Sequence, residues 1–116
     1  MKSHDTGLRG EDRAEDYLLK MGMKVLARRY RAQDGEIDLV MEDGTAIVFV
    51  EVKARPKGMR GDGLRAVTYA KQRRMTHAAQ AYLVEHGLLE RPVRFDALEI
   101  TAGGILHVPN AFMAVW

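Results

Sequence analysis

Residues 35–53 read GEIDLVMEDGTAIVFVEVK, two apolar runs joined by a short polar turn. The second run, residues 46–53, is apolar on both faces of an extended chain. Such a strand belongs in the middle of a sheet that is covered above and below. Asp-Gly between two apolar runs is a strong hairpin signal. The rest of the chain must therefore supply cover for both sides of a sheet.

Residues 8–21 carry apolar side chains at 8, 14, 17, 18 and 21, a helical spacing that Gly22 would stop. A second helix is predicted over about residues 64–86, with Met75, Ala78, Ala79, Tyr82 and Leu83 on one stripe and Gly87 beyond its end. Strands are predicted at 25–30, 35–41, 46–53, 93–101 and 105–108. Residues 1–6 read as frayed, and 55–63 as a Gly-rich basic loop. The order α-β-β-β-α-β-β predicts an α/β sandwich around a mixed sheet. A length of 116 residues fits one domain.

The chain contains no cysteine, which excludes disulfides and thiolate metal sites and points to a reducing compartment. No apolar run is long enough for a signal peptide or a membrane span, so a cytoplasmic protein without a membrane partner is expected. The formal net charge is only +2, but the basic residues are clustered. Residues 53–74 hold Lys53, Arg55, Lys57, Arg60, Arg65, Lys71, Arg73 and Arg74 against Asp62 alone, and residues 20–31 hold Lys20, Lys24, Arg28, Arg29 and Arg31 with no acid. A solvated basic face explains one such cluster. Two of them suit a polyanion partner.

Charges inside the strands are harder to explain by stability. A two-residue turn at Asp43-Gly44 would pair Glu42 with Thr45, Asp38 with Phe49 and Glu36 with Glu51. Glu36, Asp38, Glu51 and Lys53 would then share a face, with Glu36 and Asp38 on the face of Val40. Opposed like charges weaken a sheet, and a buried charge without a partner costs several kcal/mol. A lone acid here would be read as an ion pair with Lys53 at a strand end. The group is better explained by a divalent cation, since Mg²⁺ takes one or two carboxylates plus water and substrate phosphate. Lys53 beside it would orient a water or steady an oxyanion. Glu11 falls on the inner stripe of the first helix, with Gly10 permitting close approach, and Lys71 and Gln72 stand at the start of the second helix's stripe. The four histidines show no zinc spacing. Tyr30 and Tyr69 read as core or rim packing rather than as base-stacking groups, and Phe112 and Trp116 as docking on the sheet or on a second copy.

Asp38, followed after twelve residues by Glu51-Val52-Lys53, has the form of the D…(D/E)-x-K signature of restriction-endonuclease-like nucleases. Gly10-Glu11-x-x-Ala14, Tyr17-Leu18, residues 35–40 (GEIDLV), residues 49–53 (FVEVK), Ala66-Val67, residues 71–74 (KQRR) and Arg94-Phe95-Asp96 together resemble the YraN family. That family comprises small bacterial cytosolic proteins similar to archaeal-type Holliday junction resolvases. The resemblance covers about residues 7–112 and implies a three-layer restriction-endonuclease-like sandwich. It implies a Mg²⁺- or Mn²⁺-dependent endonuclease acting on branched or structured DNA in repair or recombination. Asp38 and Glu51 would be metal ligands and Lys53 the catalytic lysine. Glu11 would match the helix-borne glutamate of the resolvases, and Gln72, or less directly Lys71, their polar helix position. Arg28, Arg29, Arg31, Arg55, Lys57, Arg60, Lys71, Arg73 and Arg74 would hold phosphates, and a homodimer is implied. The pattern usually has Asn where this chain has Arg29, and Phe-Gly in the loop where this chain reads MRGDGLR at 59–65. A non-catalytic nucleic-acid-binding module working with a helicase is the alternative reading, and RNA the alternative substrate.

Overall fold

Ile47, Val48, Phe49 and Val50 are all fully buried, as a strand covered on both faces requires. They belong to the computed structural model of the chain, which describes residues 2–32, 35–55 and 67–115, the first eight of these as backbone alone. The elements run α1 (Lys2–Lys20), β1 (Lys24–Ala32), β2 (Gly35–Asp43), β3 (Ala46–Arg55), α2 (Tyr69–Glu85), β4 (Val93–Thr101) and β5 (Gly104–Phe112). The sheet order is β1-β2-β3-β4-β5. Every neighbouring pair is antiparallel except β3 and β4, which are parallel. A parallel pair needs a long crossover, and α2 lies within it.

The helices cover opposite faces, giving a three-layer α/β/α sandwich. On the α1 side, Ala14 and Leu18 pack with Leu39, Met41, Val48, Val50, Leu98 and Ile100. On the α2 side, Met75, Ala78, Ala79, Tyr82 and Leu83 pack with Ile37, Val40, Ile47, Phe49 and Phe95. The predicted stripe of α2 is thus buried throughout. The helix starts later than expected, at Tyr69, because Thr68 caps it by accepting from Lys71 N at 3.2 Å. His86 ends it, its Nδ1 lying 2.9 Å from the Tyr82 carbonyl and its ring stacked on Tyr82. The first helix begins at Lys2 rather than after a frayed start, and Met21 beyond its end is 52% exposed. Phe112 docks on the sheet by stacking on Phe95 at 4.8 Å. Trp116, Lys57, Arg60 and Arg65 lie outside the described residues. Among the described residues no helix is long and apolar enough to cross a membrane.

Two departures from regular alternation shape the site. The β2–β3 turn is Gly44-Thr45, with Asp43 opposite Ala46 and Leu39 opposite Val50, so each partner is shifted by two residues from the expected register. Tertiary contacts explain the shift. Arg94 reaches Asp43 at 3.1 Å, and Arg91 pairs with Glu42 and donates to the Thr45 carbonyl at 2.6 Å, which keeps Asp43 in the ladder. Gly44 then takes the positive φ of 61°. A shift by two keeps side chains on their faces, but it replaces the expected pairs of Asp38 with Phe49 and of Glu36 with Glu51.

The second departure is a turning-over of the β1–β2 ribbon. Tyr30 packs with the cluster of Ile37 and Val40, as does Ala27. Residues three apart cannot share a face of a regular strand. The ladder pairs Arg28 with Leu39 and Tyr30 with Ile37, and Arg29 between them has φ 52°. Asp38 sits at this turn-over, so the expectation that it simply shares the face of Val40 does not hold.

Candidate active site

Past Leu39 and Val50 the β2–β3 ladder gives out and a cavity opens. Its volume is about 470 Å³, and its lining includes Arg31, Glu36, Asp38, Glu51, Lys71 and Arg74. Gly35 at its edge lets β2 approach α2 closely, because a Cβ there would lie 2.2 Å from the Arg74 carbonyl oxygen. Gly10 plays the same part on the other face, where a Cβ would meet that of Ala54 at 2.7 Å. This bears out the close approach expected of α1.

Asp38 and Glu51 come together at the fork. Asp38 Oδ2 accepts from Val52 N at 2.7 Å, so the side chain caps a strand N–H where the regular ladder has ended. Burial, with the charge of Glu51 added, pushes the Asp38 carboxyl up to about 8, against the Val52 hydrogen bond, which acts the other way. Glu51 is 3% exposed. Its Oε2 meets Lys53 Nζ at 3.2 Å and is also paired with Lys71 Nζ. Burial alone would lower the Lys71 pKa, but the hydrogen bond and charge of Glu51 hold it above the usual lysine range. The expected lysine–glutamate ion pair and the expected carboxylate pair thus occur together.

The remaining predicted residues divide clearly. Glu11 pairs with Arg29 at 2.9 Å, and its charge contributes to the raised Asp38 pKa. Arg28 makes a two-pronged contact with Glu15 at 2.6 and 2.8 Å. Arg31 meets Glu36 at 3.2 Å, so Glu36 is held across β1 instead of opposing Glu51. Gln72 donates to the Val67 carbonyl at 3.1 Å, tying down the entry to α2, whereas its neighbour Lys71 reaches the carboxylates. Arg55, Arg73 and Arg74 are exposed, and Arg74 borders the cavity. Tyr30 is packed and donates to Glu85 at 3.0 Å, but Tyr69 is 66% exposed rather than packed.

Two buried acids were not singled out as site residues by the sequence. Glu99 is 1% exposed and in register with Lys53 across the parallel pair, on the same face of the sheet as Glu51. An acid inside the apolar run 97–100 was the available signal. Asp96 is fully buried, bound by Arg94 at 2.9 and 3.0 Å, His107 Nε2 at 2.7 Å and Asn110 N at 3.1 Å. These partners hold its pKa below the usual carboxylate range despite burial. The cluster pins the irregular β4–β5 pairing between Phe95 and Ala97.

Among the described residues no three His, Cys, Asp or Glu side chains form a ready-made cation cage. The donor set nearest to one is the Asp38–Glu51 pair: two carboxylates on a cavity with room for water and phosphate, hard oxygen donors of the type Mg²⁺ takes.

Comparison with known proteins bears out the family resemblance. Residues 10–100 match the profile described as "Uncharacterised protein family UPF0102". A "UPF0102 protein" of Saccharophagus degradans is 42% identical over 112 residues, covering 96% of this chain and 95% of the relative. One from Geobacter metallireducens is 44% identical over 110 residues, with 91% and 90% covered. Another from Alkalilimnicola ehrlichii is 45% identical over 111 residues, with 95% and 88% covered.

Proposed function

Since the chain belongs to the UPF0102 family, the YraN family its motifs resemble, we propose that it is a divalent-metal-dependent endonuclease acting on branched or otherwise structured DNA. The observation that carries this reading is the meeting of Asp38 and Glu51 in one arginine-bordered cavity that Lys71 also lines, with Lys53 paired to Glu51 beside it. Pairing acids at a sheet fork against their own repulsion has a clear use where a cation and a phosphate are to be held.

Asp38 and Glu51 would hold Mg²⁺ or Mn²⁺. Bound there, the ion supplies Lewis-acid polarisation of the phosphate and a more acidic water. Lys53, fixed two residues from Glu51, orients that water and steadies charge on the phosphorus-bound oxygens. Arg74 and Arg31 border the cavity and hold the flanking phosphates, which positions a backbone without reading its sequence. Glu11 acts at one remove, by fixing Arg29 at the ribbon's turn-over beside Asp38.

The test is cleavage of end-labelled four-way junction, flap, single-stranded and duplex DNA, with an RNA arm, in Mg²⁺, Mn²⁺ or EDTA. Metal-dependent cutting is expected, with Asp38→Ala and Glu51→Ala each losing on the order of 10³-fold or more of the rate, since each removes a metal ligand. One observation favours a second reading. Glu51 is already satisfied by two lysines, as in a closed ion-pair cluster of a non-catalytic binding module that works with a partner such as a helicase. Salt-sensitive DNA binding that is the same in wild type and both variants, without cutting, would favour the module and sink the nuclease.

A further inference from the structure

Glu51 Oε2 is approached by two ammonium groups although the residue is 3% exposed. Two such charges on one carboxylate oxygen equal the charge of one divalent cation. The two lysines are placed differently. Lys53 leaves β3 only two residues from Glu51 and stays beside it. Lys71 reaches across from the first turn of α2, is 27% exposed at its side chain and lines the cavity together with Arg31 and Arg74. A lysine's flexible four-carbon stem and compact charge allow it to change partners within such a space.

We propose that Lys71 is an exchangeable counter-ion, which occupies Glu51 in the metal-free protein, gives up Oε2 to an incoming divalent cation, and then donates to a substrate phosphate beside Arg74. The inference rests on the metal-dependent reading of Asp38 and Glu51. It gives one residue two effects of opposite sign: Lys71 opposes metal binding and favours phosphate binding. A lysine that only props Glu51 in place would favour both. Metal and nucleic acid thereby become reciprocal ligands, since whatever moves Lys71 off Glu51 helps the other partner.

The test is calorimetric titration of Mn²⁺ into wild type, Lys71→Met, Asp38→Ala and Lys24→Met, the last removing an exposed lysine at the start of β1. Lys71→Met should bind Mn²⁺ about tenfold more tightly, while Lys24→Met stays within about twofold, because only the first removes a charge in contact with the ligand oxygen. With Ca²⁺ in place of the catalytic metal, Lys71→Met should bind junction DNA about fivefold more weakly. Should Lys71→Met not fold, wild type decides: acetylation of the Lys71 amine by acetic anhydride, read by mass spectrometry, should quicken when Mg²⁺ saturates the protein. An unchanged or slower rate overturns the exchange. Mn²⁺ binding that Asp38→Ala abolishes but Lys71→Met leaves equal or weaker also overturns the exchange and spares the metal reading. No Mn²⁺ binding by wild type overturns both.

Discussion

Burial and the charge of Glu51 push the Asp38 carboxyl up to about 8, against an ordinary value of 3.8. The folded state therefore binds this proton more tightly than the unfolded chain does. Its contribution to stability is full below about pH 4 and is lost as pH rises towards 8. Asp38→Asn removes the ionisation, so in EDTA at pH 8 it should melt about 5 °C above wild type and show no advantage at pH 4. Thermal melts of both proteins across that range check this, and saturating Mg²⁺ should erase the difference by taking the proton's place. Asp38, Glu51 and Lys53 were legible in the sequence because their charges contradict the strands that carry them. The choice between Lys71 and Gln72 was not. Adjacent residues near a helix start point about 100° apart, and the phase depends on where Thr68 caps the helix.

The strands could be read from alternation and turn residues, down to the identical bounds of β4. Neither irregularity could. The turn register is decided by Arg91 and Arg94, which lie far along the chain from the turn. The turn-over at Arg29 is written in a residue type that gives no hint of φ 52°. Asn at this place would have signalled it, since Asn tolerates the left-handed region. Arg29→Asn and Arg29→Val both lose the Glu11 pair, so their difference isolates the backbone. Val should be less stable than Asn by roughly 1–2 kcal/mol in urea unfolding. At the other end of the cavity, Gly35→Ala would drive a methyl into the Arg74 carbonyl at 2.2 Å. It should cost about 2–3 kcal/mol. By pushing back the turn of α2 that carries Lys71, it should also lower the cleavage rate of the fraction that still folds, measured at matched folded concentration.

Across the whole molecule the described basic residues are not equivalent. Arg28 and Arg29 are tied to acids of α1, while Arg55, Arg73 and Arg74 are exposed on the side of β3 and α2. If three or four phosphates are neutralised there, DNA affinity should fall on the order of 100-fold between 50 and 200 mM salt, followed by fluorescence anisotropy. A fall of less than about threefold would remove the phosphate-binding surface from the proposal. The three-layer arrangement itself was legible from one strand that was apolar on both sides, since that alone demanded a helix above and another below.

The sheet's connectivity also sets an order of assembly. β2 meets β3 through a two-residue turn, whereas β3 meets β4 only by joining Ile47 to Val93, 46 positions along the chain (93 − 47). Short closures form before long ones. The β2–β3 hairpin that brings Asp38 towards Glu51 is therefore expected to close before β3 pairs with β4, with α2 and its Lys71 still undocked. The nascent hairpin carries two facing acids with Lys53 as the cation beside Glu51, and the docking of α2 adds Lys71 as a second. The residues that make the pair useful in the finished protein thus make its first-formed half hesitant to close, and the helix that docks on it afterwards brings the second counter-charge.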